Sequence, residues 1–300
     1  MLAIASTGEI VDIFPLNKAS YLAYSMMGLF VALIGMPNIS TYLYTFGGFL
    51  LPSTVVAVLG LAPLLCLPRI ATYFEEVEMK KDADNQDVEA TEVLDSLSFF
   101  ENYFIYYLPD LVTFIQNTVF QAMVYALPLR LKRFNNIHET TTTWMMTSEF
   151  FMSFVSSIFI TRMTVKTDMI AVMIIGTVLF YGGCVLCAGY TTVDLKVYGG
   201  ALVGMILLGL ADPTFITMCV MSKFYIYETL SKTTENMGEK ASRTWKVALY
   251  SGALFGGVVA GQVTTRESEE WLFWVLGGAG VVCATALCSV WVYLRINKAK

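Results

Sequence analysis

The stretch DMIAVMIIGTVLFYGGCVLCAGY, Asp168–Tyr190, decides how this chain is read. Between its two ends it holds no charged residue. It is long enough to cross the hydrocarbon of a bilayer, which takes roughly 20 mainly apolar residues. A lone strand in lipid leaves its N–H and C=O groups unpaired, whereas a helix satisfies them within itself. The stretch also lacks the alternating polarity of a membrane barrel strand. It therefore predicts a transmembrane helix.

Working outward, similar stretches recur. They fall at about residues 18–44, 47–67, 110–129 and 142–161 before it, and 198–221, 244–263 and 270–294 after it. The expected fold is thus an all-α membrane protein with about eight transmembrane helices. Composition agrees: 56% of residues are hydrophobic and 14% charged, against roughly 25% charged in a soluble domain. Trp144, Trp245, Trp271, Trp274 and Trp291 stand near predicted helix ends, the usual place for interfacial anchors.

Lys and Arg set the orientation, because cytoplasmic loops retain them in excess. With the N-terminus in the cytoplasm, fourteen of the 19 basic residues fall inside and five outside. Both termini are expected to be cytoplasmic, with the cluster Arg130–Arg133 as the exception. Residues 72–101 carry ten acidic side chains opposed only by Lys80 and Lys81. Such a run reads as a solvated cytoplasmic linker, with docking of a basic partner as the alternative. It separates residues 1–71, with two helices, from residues 102–300, with six.

Several function classes are excluded by what is missing. No basic cluster interleaved with aromatics marks a nucleic-acid surface. Cys184 and Cys187 form a C-x-x-C, but no second ligand pair lies nearby and the one histidine is His138. A structural zinc needs four N or S ligands, so no metal or other cofactor is expected. The six cysteines are read as small buried hydrophobes. No nucleophile–base constellation and no P-loop is visible, so the chain is expected to be neither an enzyme nor an ATP-driven pump. The start, MLAIASTGEIVDIF, has no basic n-region and does not read as a signal peptide. Asn38-Ile39-Ser40 matches a glycosylation acceptor but lies inside a predicted span, where no glycan is expected.

Polar residues inside apolar stretches are the candidates for chemistry. Asp212 lies roughly 20 Å into its helix at 1.5 Å per residue. A carboxylate near the midplane is costly and faces a cavity or a partner. Pro213 follows, and broken helices are common at transporter sites. Asp212 reads as a proton or cation site, with a structural carboxylate as the alternative. Glu149 is a second buried acid, on one helix face with Thr142, Ser153 and Ser156. Thr113, Asn117, Gln121 and Tyr125 recur every four residues, as either a substrate-facing stripe or polar glue between helices. Asp110, after Pro109, reads as a helix cap. The spacings Gly200/Gly204, Gly252/Gly256 and Gly257/Gly261 predict close helix approach.

In order and spacing, several motifs match a known pattern. FPLNKASYLAYSMMGLF from Phe14, YLYTFGGFLLP from Tyr42, GLADPTF from Gly209 and WKVALYSGALFGGVVAG from Trp245 resemble the major facilitator superfamily. Within it, the resemblance is nearest to the vesicular amine transporter family and its polyamine-transporting branch. It covers nearly the whole chain and implies helices five to twelve of a twelve-helix fold, namely the last two helices of the N-half and the whole C-half. GLADPTF falls where helix ten of that family has a G-x-x-D motif.

There are departures. The helix-five region linked to proton exchange reads MPNIS and keeps only Pro37; the late helix-seven region reads MVYALP where the family often has a carboxylate; Lys246 stands where amine carriers have an acid. The resemblance implies a proton-coupled antiporter of a small, cationic organic solute in a vesicular or plasma membrane, its partners being lipid, solute and protons. The alternative is a non-transporting or truncated paralogue with a binding or regulatory role, an expectation raised by the four family helices that the chain lacks.

Overall fold

The computed structural model describes residues 18–48, 50–55, 57–58, 104–135, 138–161, 168–189, 198–231, 237–263 and 269–298. Among the described residues there are seven long helices: α1 (Lys18–Gly47), α2 (Leu108–Asn135), α3 (Glu139–Thr161), α4 (Met169–Gly189), α5 (Tyr198–Ser231), α6 (Met237–Val263) and α7 (Glu269–Lys298). No strand occurs among the described residues. Each helix covers one predicted apolar stretch. Residues 50–55, in the remaining stretch, are also helical. The acidic segment 72–101 lies outside the described residues, as does Cys66.

Among the described residues, two helices are long and apolar enough to cross a membrane, through Met169–Cys187 of α4 and Gly277–Asn297 of α7. A third is added if Gly199–Thr214 and Thr217–Ile226 of α5, bent by 40° at their break, count as one span. Pro213 stands at that bend and has no N–H to give the helix ladder. α2 carries Gln116, Asn117 and Gln121 within its apolar run.

The chain divides into two compact units, Gly35–Val93 and the remainder formed by Met1–Ile34 with Leu94–Lys300. In the smaller unit, Gly48 ends α1 with a positive φ of 58°. Its N–H bonds to the Tyr44 carbonyl at 2.9 Å, closing the helix with a left-handed cap that favours glycine. Tyr42 and Phe46, one turn apart, bring their ring centres to 4.8 Å at a tilt of 57° and remain exposed.

In the larger unit α5 is central. It packs on α3 and α4 most extensively and also meets α2, α6 and α7, while α2 pairs with α6 and α4 with α7. Glycines set the tightest approaches. A Cβ on Gly183 of α4 would meet the Gly204 carbonyl of α5, and one on Gly204 would meet the Gly183 carbonyl. On α6, Gly252 and Gly256 face the Phe114 and Thr118 carbonyls of α2. The expectation of close approach fails at the next pair: a Cβ on Gly257 would touch only the Tyr125 ring, at 3.9 Å, and one on Gly261 would meet nothing within 4 Å. Successive residues are about 100° apart around a helix, so only one of two adjacent glycine rows can face α2. Ile105, Ile170, Ile226, Val290 and Leu294 close an apolar core where α4, α5 and α7 meet. Outward, Ile175 and Val178 of α4 and Val281, Val282, Val292 and Ile296 of α7 are exposed, an apolar surface suited to lipid.

Candidate functional site

Two acids stand where α3 crosses α5. Glu149 is fully buried and Asp212 is 4% exposed. Gly209 of α5 makes the crossing close, because a Cβ there would collide with the Glu149 carbonyl and the Met152 side chain. The α3 face predicted from spacing does line this contact. The Ser153 hydroxyl lies 3.1 Å from the Glu149 carbonyl oxygen and 3.4 Å from Asp212 Oδ2, two acceptors for its single O–H, and Ser156 donates to the Leu210 carbonyl at 2.8 Å. Among the described residues, neither carboxylate oxygen of Glu149 has a hydrogen-bond partner. Ser153, one turn after Glu149 on α3, places the Asp212 carboxylate against the same stretch of that helix. Glu149 also lines a cavity of about 10 Å³ with Phe120, Met123, Met146, Met205 and Leu208. That volume holds about one water.

Cys184 and Cys187 of α4 are buried beside this crossing, and Cys187 Sγ points at the Ala201 carbonyl at 3.7 Å. Among the described residues, no group of three or more His, Cys, Asp or Glu side chains is arranged to hold a metal ion. His138 is exposed at the start of α3, where its carbonyl accepts from the Thr141 and Thr142 N–H groups.

The stripe on α2 goes elsewhere. Asn117 donates to the Leu249 carbonyl of α6 at 2.5 Å, and its Cβ faces Gly252. Gln121 faces Gly256, while Tyr125 lies against Gly257 and is 56% exposed. These three residues form one wall of the α2–α6 contact, a place that corresponds to the polar-glue alternative. Thr113 is fully buried, and Gln116 donates to Thr177 of α4 at 3.0 Å.

A second charged cluster was not foreseen. Lys223 of α5, just beyond the predicted span 198–221, is fully buried. Its Nζ lies 2.5 Å from Asp110 Oδ2 and also donates to the Thr244 hydroxyl of α6. It sits over the Tyr106 ring at 4.5 Å and the Tyr107 ring at 5.5 Å. Cys219, one turn earlier on α5, points its thiol at Asp110 Oδ1 at 3.6 Å. The sequence signal was present but faint: Lys223 is followed by Phe-Tyr-Ile-Tyr, and Tyr106-Tyr107 precede the Pro109-Asp110 pair. Nothing local pairs residues 113 positions apart.

Asp168 forms a third polar cluster, just outside the apolar span of α4. It caps that helix, accepting from the Ala171 N–H at 3.2 Å. Its Oδ2 accepts from Trp291 Nε1 at 2.6 Å and from Arg295 at 3.1 Å, tying the start of α4 to the end of α7. Partial burial works against its charge, but the bonds from Trp291, Ala171 and Arg295 outweigh that and hold the carboxyl below its ordinary range.

No protein-family model matches this sequence, and no curated protein matches it.

Proposed function

We propose that this chain is the helical core of a secondary transporter that moves a small, cationic, amine-like organic solute across a membrane in exchange for protons. In this reading the fold is the major facilitator arrangement suggested by the motifs above, with eight spans and both termini cytoplasmic. The observation that carries the proposal is the Glu149–Asp212 crossing. Two acids are buried at one crossing between apolar helices, and Ser153 stands beside the Asp212 carboxylate.

Burying an isolated ionised carboxylate is so costly that the group is neutralised or finds a partner instead. A pair of acids therefore exchanges protons, or takes up a cation, whenever the helices part and water reaches it. The 40° bend of α5 just after Pro213 supports such parting, since it lies within one turn of Asp212. The one-water cavity corresponds to an occluded arrangement, too small for an organic solute.

The test is uptake into proteoliposomes holding the purified chain, using a labelled monoamine and a labelled polyamine with an imposed pH gradient. The expected result is gradient-driven uptake by the parent and its loss in Asp212→Asn and Glu149→Gln, with proton movement followed by an entrapped dye. Undiminished uptake by both variants, or none by the parent, removes this reading.

A further inference from the structure

We infer that Asp110, Tyr106, Tyr107 and Thr244 form a binding cage for a primary ammonium ion, which Lys223 fills as a tethered ligand. The inference is independent of transport, because it concerns a different part of the molecule from the Glu149–Asp212 crossing.

The cage walls and their occupant come from different elements. Tyr106 and Tyr107 precede α2, Asp110 lies in its first turn, and Thr244 belongs to α6. α5 supplies the ammonium, from Lys223. An ammonium carries three N–H donors and no acceptor. Here one goes to the Asp110 carboxylate and another to the Thr244 hydroxyl. The Tyr106 and Tyr107 rings lie 4.5 and 5.5 Å away, within the range at which a ring face attracts a cation. A carboxylate, a hydroxyl acceptor and two aromatic faces are the groups that recognise a free alkylammonium, and the Lys223 tip is one such ion on a stem. Its complete burial shows that the site desolvates a cation fully.

The arrangement also holds the later part of α5 against the starts of α2 and α6. A mobile ammonium ion that took the cage would remove the Lys223 tie to both.

The experiment empties the cage and offers it a mobile occupant. Lys223→Ala is purified in detergent and its thermal unfolding measured with methylammonium, tetramethylammonium and matched sodium chloride. The expected result is a fall in Tm of roughly 10 °C, restored in large part by millimolar methylammonium. Tetramethylammonium has no N–H to donate to Asp110 or Thr244, so neither it nor sodium chloride restores stability. Asp110→Asn in the same background abolishes the response.

If Lys223→Ala does not fold alone, the readout becomes the yield of monodisperse protein prepared with methylammonium present throughout. Lys223→Met, which refills the space without an ammonium, serves as a second variant that does not respond. The inference is overturned if methylammonium stabilises no better than sodium chloride or tetramethylammonium, or if Lys223→Met is as stable as the parent.

Discussion

The two buried charge clusters on α5 are opposites. Asp212 and Lys223 lie eleven residues apart on one helix, about 16 Å at 1.5 Å per residue. At Lys223 the charge meets an opposite charge, a hydroxyl and two aromatic rings. At Asp212 the neighbouring titratable group is another acid, and its support is a 3.4 Å bond from Ser153. Burial is nearly the same in both places, so burial alone does not distinguish a fastening from a chemical site. Pairing does. An opposite pair is held by its own attraction and resists separation. Two acids gain nothing from proximity while charged, and respond to any change in water access.

The largest effect comes from breaking the paired cluster. Asp110→Asn leaves the Lys223 charge buried without a counter-charge, and should cost about 3–5 kcal/mol. Asp110→Asn combined with Lys223→Met removes both charges and should recover most of that loss, measured by thermal unfolding in detergent. Equal stability of the single and double variants would mean that the ion pair is incidental.

A smaller effect is expected at Asp168. Asp168→Ala removes a helix cap and should cost about 1 kcal/mol, along with the tie to Trp291 and Arg295. Because the folded carboxyl sits below the ordinary value of about 3.9, its contribution is complete above that pH. It is lost as pH falls through the lowered value. Stability curves of parent and variant should therefore converge in acid; parallel curves down to the lowest pH would contradict the capping role.

The smallest effect on stability sharpens the comparison most. Glu149 is more deeply buried than Asp110, yet Glu149→Gln should change stability by less than about 1 kcal/mol, because it separates no ion pair. A loss as large as that of Asp110→Asn would show that the Glu149 carboxylate has a structural partner of its own.

Particular residues show why some of this was readable in advance. Asp212 and Glu149 stood out because a carboxylate within an apolar run is conspicuous in one dimension, and the spacing of Glu149, Ser153 and Ser156 already put them on one face. Gly252 and Gly256 were legible for the same reason. Asn117, Gln121 and Tyr125 were visible as a stripe, but a stripe does not reveal what it faces; α6 does, through Leu249 and its glycine row. Lys223 lies just past the apolar run 198–221, where local hydropathy does not mark it as buried. The helix instead continues to Ser231 and carries it inward.

Sequence by itself determined the helical elements, their approximate limits and the buried acids, since each follows from local hydrophobicity and from the need of every backbone group for a partner. Only the tertiary structure decided which polar residues became partners. Asp110 with Lys223, Asp168 with Trp291, and Ser153 with Asp212 are joined across 113, 123 and 59 positions. Such pairings depend on how helices cross, which glycine rows and side-chain volumes settle in three dimensions and no local pattern encodes.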